Sequence, residues 1–398
     1  MYYDIFEKLF IFIKDNYHLL NKKTEMINPL NWELGHIIWF YNNYCWKKNI
    51  KMLKNEIYDS FLLDYVNRKN YVLNLDKLFK IWINNKDNKD NKDNKYNINN
   101  KLLCDLHLQM HIESLYFSLL VSNIYNPLIN KLEISNTKIK DIEFVDIIGN
   151  KFIQGNYSQG NYSQGNYKDY IFDNEIPAFE TMVNDFKVSK YPITIYQYLQ
   201  FVKNSYNKKK YWSINGYSWK IRNNITLPLY WKKSKKKYYF VYNTIEYLIE
   251  DIGDYPMVFC SYYEAEAYCK WKNVKLLTES EWEYLGNFKE VGNPNLGYNS
   301  LKPVYSGSKI LVNRYNNTQN YIYDLVGNVW EWCSTDFYPY DNFTIGKVYK
   351  EFSYPFFGYK IICRGGSWCS PKELINIHYR NAQTKDNRIQ FIGFRIKI

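Results

Sequence analysis

The sequence lacks the features of secreted and membrane-spanning proteins. Its 398 residues include seven cysteines, an odd number, and no two of them form a Cys-x-x-Cys pair. This usage favours reduced thiols in an intracellular protein over a disulfide framework. The N-terminal residues carry no cationic stretch followed by an apolar segment and a cleavage site, and no apolar run reaches about 18 residues. We therefore expect a cytoplasmic protein without a signal peptide or a membrane span.

Nucleotide-binding and nucleic-acid-binding signatures are also absent from the sequence. It contains neither a Gly-x-Gly-x-x-Gly loop nor a Walker-type loop, so nothing predicts a dinucleotide or nucleoside triphosphate site. The net charge of +12 comes from lysines that are scattered or lie in short runs, without an RNA-binding or DNA-binding pattern. We interpret this charge as a solvated, compositionally biased surface and expect no nucleic-acid partner.

The chain does have enough apolar residues, 46% of the total, to form two or three folded domains. Apolar residues recur at helical spacing in four segments, near 2–20, 30–47, 56–82 and 101–124. Together they predict an antiparallel four-helix bundle over residues 1–135. A stretch rich in Lys, Asp and Asn at 84–100 is predicted to be a solvated insert within it.

The pattern changes near residue 142, where short alternating segments replace helical periodicity. Residues 143–152 alternate like a strand hairpin, and repeats of Gln-Gly-Asn-Tyr-Ser at 154–168 indicate a second low-complexity insert. Two helices are predicted in the remainder, near 194–204 and near 262–272 after an N-cap at Ser261. Residues 142–398 are therefore predicted to form an irregular α+β domain.

Three of the five histidines form a pattern typical of a metal site. His107 and His111 are four residues apart in an apolar helical segment, which places both imidazoles on one helix face. His36 lies in another helical segment and can supply a third nitrogen. Three neutral imidazoles in a helical bundle would hold a divalent metal and leave coordination positions open. The alternative is that they are ordinary core or surface histidines.

Four motifs in the C-terminal half occur in a fixed order, namely Leu276–Tyr284 (LLTESEWEY), Tyr323–Trp332 (YDLVGNVWEW), Arg364–Trp368 (RGGSW) and Ile392–Arg395 (IGFR). In this order they resemble the formylglycine-generating-enzyme, or sulfatase-modifying-factor, domain. The resemblance implies a C-type-lectin-like α+β fold. The founding activity of that family uses a cysteine pair after the Arg-Gly-Gly-Ser motif. Here Cys369 stands alone, so we expect no sulfatase-activating function and a buried structural role for Cys369.

The N-terminal motifs indicate a particular branch of proteins that contain this domain. Leu34–Phe40 (LGHIIWF) and His107–Glu113 (HLQMHIE) resemble the DinB-like bundle of the nonheme iron sulfoxide synthases of ergothioneine and ovothiol biosynthesis. This resemblance implies that His36, His107 and His111 bind Fe(II), with Glu113 orienting a ligand. It also implies an O2-dependent reaction that joins a cysteine-type thiol to the imidazole of histidine or trimethylhistidine. The iron is then expected in a pocket between the two domains.

The same resemblance assigns three further site residues. Asn381 matches the position of an asparagine that binds the imidazole substrate, and Gln383 stands where one branch has a thiol-binding aspartate. Tyr349 matches the position of a tyrosine that donates a proton near the iron, with Tyr340 as the second choice. The motifs do not separate the ergothioneine branch from the ovothiol branch.

Two other functions stay open at this point. One is a non-catalytic, degenerate binding module with the same fold, which the biased composition, the two inserts and Gln383 favour. The other is a zinc-dependent DinB-like enzyme, because three imidazoles also suit zinc.

Overall fold

The protein is described by a computed structural model in which the chain forms two compact units. One unit comprises Met1–Leu128 and Gly160–Tyr170, and the other comprises Ile129–Gln159 and Ile171–Ile398. The structure describes residues 2–20, 27–48, 50–60, 65–68, 74–86, 95–135, 141–157, 170–298, 300–306, 312–314, 321–346, 349 and 352–398.

The first unit is helical. It contains α1 (Tyr2–Leu20), α2 (Leu30–Tyr41), α3 (Asn55–Tyr58), α4 (Tyr65–Arg68), α5 (Leu75–Asn85) and α6 (Lys95–Val121), and a π-helical turn at Asn42–Trp46 prolongs α2. The buried residues of α1 recur at helical spacing and are Phe6, Leu9, Phe10, Ile13 and Leu20. All twelve residues of α2 are buried, and this helix contacts α1, α3, α5 and α6.

The prediction of a single helix over 56–82 is wrong. It contains three shorter helices, α3, α4 and α5. A new helix begins after Asn74 because its side chain accepts a hydrogen bond from the backbone N–H of Lys77, at 2.9 Å. This N-cap satisfies a backbone donor that has no partner inside the helix, and it fixes the start of α5.

The N-terminal helical region is confirmed, whereas a DinB-like bundle within it remains a prediction. The predicted insert at 84–100 is partly helical, because α6 already begins at Lys95, and residues 87–94 lie outside the described residues. The predicted domain boundaries near 135 and 142 remain predictions. Within the described residues, no helix is long and apolar enough to cross a membrane.

The second unit is built mainly from short strands. They are β1 (Phe144–Ile147), β2 (Lys151–Gln154), β3 (Phe179–Met182), β4 (Phe186–Ser189), β5 (Trp231–Ser234), β6 (Lys237–Tyr242), β7 (Ile245–Leu248), β8 (Lys275–Leu276), β9 (Lys289–Val291), β10 (Val312–Arg314), β11 (Tyr321–Tyr323), β12 (Trp330–Asp336), β13 (Ile361–Arg364), β14 (Asn381–Gln383), β15 (Ile392–Gly393) and β16 (Ile396–Lys397). They form sheets in the orders β1-β4-β16-β8, β11-β10-β9, β14-β13-β12-β15, β2-β3 and β5-β6-β7. The predicted fold class, a mixture of helix and sheet, is thus confirmed.

Four α-helices of this unit are described, namely α7 (Ile195–Asn204), α8 (Ile214–Arg222), α9 (Tyr262–Lys272) and α10 (Glu279–Gly286). The two helices predicted from the sequence correspond to α7 and α9. Ser261 caps α9 by accepting a hydrogen bond from the N–H of Glu264, whose carboxylate accepts one from the N–H of Ser261. This reciprocal capping box is the pattern on which the prediction rested.

The hairpin predicted over 143–152 is wrong, although both of its strands exist. β1 pairs with β4 and β2 pairs with β3, both antiparallel. The connection packs closely against a distant segment: a Cβ atom on Gly149 would lie 2.0 Å from the carbonyl oxygen of Val183. Each strand therefore finds a partner far along the chain. Of the predicted insert at 154–168, residues 158–168 lie outside the described residues.

The four sequence motifs form the buried frame of this unit. Glu331 of β12 accepts hydrogen bonds from Trp282 Nε1 at 3.0 Å and from the guanidinium of Arg395 at 2.7–2.9 Å. Gly365 has a φ of +98°, and a Cβ atom there would lie 2.5 Å from the carbonyl oxygen of Leu325. Only glycine fits this backbone approach. The motifs thus hold the strands together.

Candidate metal centre and amide cluster

The three predicted histidine ligands lie together in the first unit. His36 projects from α2, and His107 and His111 project from α6. One nitrogen from each ring can be chosen so that all three atoms lie within 4.8 Å of one another. His36 and His107 are buried, and the side chain of His111 is 19% exposed. Among the described residues, this is the group of acidic, histidine or cysteine side chains with a geometry suited to a metal ion.

Aromatic packing holds these imidazoles in place. The ring of His36 stacks against Trp32 and Trp39, with centroids 5.0 and 5.5 Å apart, one helical turn to either side along α2. The ring of His107 lies parallel to Phe40 at a centroid distance of 3.6 Å. Because these neighbours are bulky and buried, the imidazoles have little freedom to change rotamer.

In His36 and His111, hydrogen bonds at Nδ1 decide which ring nitrogen is available. His36 Nδ1 donates to the carbonyl oxygen of Tyr58 at 2.7 Å, because a carbonyl can only accept. His111 Nδ1 lies 2.8 Å from a carboxylate oxygen of Glu33. Both contacts leave Nε2 as the free ligand atom. His36 Nε2 directs its lone pair toward His107 Nε2, 3.2 Å away.

The electrostatic environment of His36 and His107 favours their neutral imidazoles. Burial lowers the pKa of His36 well below its usual value, and the neighbouring charges of His111 and Arg68 lower it further. Burial, followed by the nearby His111 and His36, likewise lowers the pKa of His107. Neutral imidazole is the form that binds a metal. The buried donor set therefore fits a divalent transition metal.

Glu33 is a site residue that the sequence analysis missed. It is fully buried on α2, one turn before His36, and its carboxylate contacts His111 across the helix pair. The resemblance had assigned the orienting role to Glu113, which is also buried and lies on α6. The sequence did contain a signal for Glu33. The motif reads Glu33-Leu-Gly-His36, and residues i and i+3 share a helix face.

The two predicted substrate-binding residues lie together in the second unit, on β14. The side chains of Asn381 and Gln383 share one face of this strand, and Gln383 Nε2 donates to Asn381 Oδ1 at 3.3 Å. Asn387 Nδ2 donates to Gln383 Oε1 at 3.2 Å. The preceding residue, Arg380, is buried and makes a two-pronged ion pair with Glu279, which anchors the strand.

The predicted proton donor Tyr349 is half-buried in the loop after β12, and its ring lies 5.6 Å from Phe352. The second choice, Tyr340, is buried beneath the guanidinium of Arg380, 4.0 Å from its ring centroid. Its hydroxyl accepts a hydrogen bond from Gln154 at 3.2 Å, and burial raises its pKa. The structure thus brings the histidines together in one unit and the amides in the other, while the role of either tyrosine remains a prediction.

All seven cysteines are buried, and none is in a disulfide. Cys369, which follows the Arg-Gly-Gly-Ser-Trp motif, is 1% exposed, and its backbone N–H donates to Ser367 Oγ. The prediction of a small buried residue at this position is confirmed.

Comparison with known proteins identifies the family of the second unit. Residues 152–398 match the family described as "Sulfatase-modifying factor enzyme 1-like domain". The match covers more than half of the sequence, and the chain belongs to this family. The resemblance that the four motifs indicated is thereby confirmed.

Two relatives carry a more specific name. The chain is 30% identical over 244 residues to the hercynine oxygenase of Mycobacterium tuberculosis, covering 56% of this chain and 55% of that protein. It is 28% identical over 251 residues to the hercynine oxygenase of Mycolicibacterium thermoresistibile, covering 57% and 54%. The chain thus spans about half the length of the curated relatives it matches. Among solved structures, PvdO from Pseudomonas aeruginosa matches with a TM-score of 0.39 and 17% identity, over 67% of this chain and 99% of that one.

Proposed function

We propose that this protein is an Fe(II)- and O2-dependent sulfoxide synthase that joins a cysteine-type thiol to the imidazole of histidine or trimethylhistidine. The observation that carries the proposal is the convergence of His36, His107 and His111, whose ligand atoms lie within 4.8 Å, in a chain of the sulfatase-modifying-factor family. The relatives named hercynine oxygenase support a histidine-type substrate, since hercynine is trimethylated histidine.

In this proposal the three histidines hold the iron through Nε2. The lowered pKa values of His36 and His107 favour their neutral forms, and Tyr58 and Glu33 orient His36 and His111, so a divalent metal meets a preformed donor set. Three protein ligands leave positions open for substrates. The bound metal would supply the redox chemistry through which O2 reacts with the two substrates.

The overall reaction balances without an external reductant. The thiol S–H and the imidazole C–H are broken, and one C–S bond forms. One oxygen atom of O2 becomes the sulfoxide oxygen, and the other leaves as water with the two hydrogens. The substrates together lose four electrons, which O2 accepts.

In this scheme the remaining site residues bind the substrate and donate a proton. Asn381 contacts the histidine-type substrate, and Tyr349 holds a phenolic proton for transfer as negative charge builds during the reaction. Gln383 is neutral and cannot pair with a substrate ammonium as an aspartate does. We therefore favour free cysteine over γ-glutamylcysteine as the sulfur donor.

Mass spectrometry of the products tests the proposal. The full chain is loaded with Fe(II) under argon and then exposed to O2 with histidine or trimethylhistidine and a panel of thiols. We expect a sulfoxide-linked adduct, and we expect neither the adduct nor iron binding in the His107→Ala, His111→Ala double variant.

Other outcomes would favour the rival functions. Tight binding of zinc with no adduct under any substrate pair would favour the zinc-dependent enzyme. Equal metal content in the wild type and the double variant, again with no adduct, would favour the non-catalytic binding module.

A further inference from the structure

Three side-chain amides on and after β14 form a directed chain of hydrogen bonds, which we call the amide relay: Asn387, Gln383 and Asn381. Asn387 Nδ2 donates to Gln383 Oε1 at 3.2 Å, and Gln383 Nε2 donates to Asn381 Oδ1 at 3.3 Å. All three side chains are half-buried. The amide of Asn387 therefore orients that of Gln383, which in turn orients that of Asn381.

Backbone N–H groups fix the direction of the relay at both ends. The N–H of Ile389 donates to Asn387 Oδ1 at 3.1 Å, so the nitrogen of that amide must face Gln383. The N–H of Ala382 donates to Asn381 Oδ1 at 2.8 Å. A backbone N–H can only donate, so neither terminal amide can exchange its oxygen and nitrogen. Gln383 then has one orientation that satisfies both neighbours.

In this arrangement the side-chain oxygen of Asn381 already accepts two hydrogen bonds, whereas its side-chain N–H groups stay available to donate. Asn381 Oδ1 receives two hydrogen bonds, one from Ala382 and one from Gln383, and a carbonyl oxygen has two lone pairs. Asn381 Nδ2 makes no hydrogen bond to any residue that the structure describes. Its two N–H groups are therefore the polar atoms that this residue can offer to a ligand.

We infer that the amide relay makes Asn381 a dedicated hydrogen-bond donor, which selects a substrate group that accepts: a carboxylate oxygen or the unprotonated nitrogen of a neutral imidazole. Gln383 and Asn387 are positioning residues that act through Asn381. This assignment rests on the proposed function, and it gives Gln383 a role that an aspartate cannot fill, because a carboxylate has no N–H to donate to Asn381.

Ligand binding to the Fe(II)-loaded full chain under argon, measured by isothermal titration calorimetry, tests the inference. Asn381→Asp keeps the shape and the accepting oxygen but replaces the donor with a negatively charged acceptor. We expect it to weaken histidine binding by at least about tenfold. Histidinol, which lacks the carboxylate, distinguishes the two accepting groups. If Asn381 recognises the imidazole nitrogen, Asn381→Asp weakens histidinol binding as well. If Asn381 recognises the carboxylate, Asn381→Asp leaves histidinol binding unchanged.

The relay residues are tested by a double-mutant cycle. Gln383→Glu and Asn387→Asp each replace the relay donor with an oxygen, and we expect each to weaken histidine binding several-fold. In the Asn381→Asp background, Gln383→Glu should have no further effect, because it acts through Asn381; a merely structural role gives additive losses. Gln200→Glu on α7, whose side chain makes no hydrogen bond to a described residue, is the matched control. Melting temperatures within a few degrees of wild type show that the variants fold.

Two results would count against the inference in different ways. If wild type binds histidine and Asn381→Asp binds it equally well or more tightly, the inference is overturned and the proposed function stands. Additive losses in the double variant would also overturn it. If wild type binds neither histidine nor trimethylhistidine, the proposed function fails and this inference fails with it.

Discussion

The buried carboxylate of Glu33 contacts the candidate metal centre without being one of its predicted ligands. Glu33 is fully buried, and one of its oxygens lies 2.8 Å from His111 Nδ1. A buried negative charge is costly unless positive charge compensates it. A divalent metal on the far side of the imidazole would provide this compensation, while the carboxylate makes the imidazole a stronger ligand.

Replacing Glu33 with Gln should therefore weaken metal binding without unfolding the unit. The amide keeps the size of the side chain and an oxygen that can accept from His111, but it removes the negative charge. Loss of such a partner typically lowers metal affinity by about 10–100-fold. Competition between the full chain and a chromophoric chelator for Fe(II) under argon measures this change.

A matched control for this experiment lies in the same unit. Glu7→Gln makes the same chemical change at a carboxylate that contacts Trp82 and Lys86. It should leave the affinity within about threefold of wild type. Equal affinities for wild type and Glu33→Gln would refute the role of Glu33, and a large loss in Glu113→Gln alone would return the role to Glu113.

At the scale of single residues, the sequence predicted the three histidines and missed the groups that hold them from other helices. His107 and His111 were predicted because their spacing alone places them on one face. The carbonyl of Tyr58 was not predicted, and Glu33 was missed although it shares a helix face with His36, because its contact is with His111 on a different helix. Backbone carbonyls leave no trace in a sequence, so the partner of His36 required the structure.

At the scale of elements, the contact between α2 and α3 explains the glycine before His36. A Cβ atom on Gly35 would lie 2.1 Å from Cε1 of Tyr58, whose ring is fully buried. Tyr58 is also the residue whose carbonyl holds His36 Nδ1. The absence of a side chain at Gly35 thus lets α3 approach α2 closely enough to make that hydrogen bond.

Gly35→Ala should separate these two elements. Alanine favours a helix by about 1 kcal/mol over glycine, but overpacking a filled core costs about 1–3 kcal/mol. We expect net destabilisation of the order of 1 kcal/mol and weaker Fe(II) binding, because the Tyr58 carbonyl moves away from His36. Chemical denaturation and metal competition measure the two effects.

A second substitution distinguishes steric displacement from a general effect of the mutation. Tyr58→Leu removes the ring that alanine would meet and keeps the backbone carbonyl. Adding it to Gly35→Ala should restore much of the lost metal affinity. If the double variant binds Fe(II) no better than Gly35→Ala, the interlocked contact does not position His36.

The elements that could be predicted are those determined by residues close together in the sequence. The helix α9 was predicted together with its cap, because Ser261 and Glu264 satisfy each other within four residues. The hairpin over 143–152 was wrong because strand pairing is decided by distant segments, here β3 and β4. Alternation predicts that a strand exists, but it does not name the partner.

At the scale of the whole molecule, the two compact units carry different parts of the proposed chemistry. The first unit contains the histidine cluster, and the second contains the amide relay and the family motifs. The three proposed metal ligands lie on α2 and α6. Binding of a metal to the folded form alone stabilises that form, and the effect should be centred on the unit that supplies the ligands.

Hydrogen exchange read by mass spectrometry should therefore show where Fe(II) acts. At a free metal concentration about 100-fold above the dissociation constant, linkage adds about 2.7 kcal/mol to the folded form. We expect slower exchange in peptides from α2, α3 and α6, and little change in β12 and β13, whose frame depends on Glu331 and Arg395. Chelation should reverse the protection, and the His107→Ala, His111→Ala double variant should never acquire it. Protection centred on β12 and β13 instead would place the metal in the second unit and contradict the histidine site.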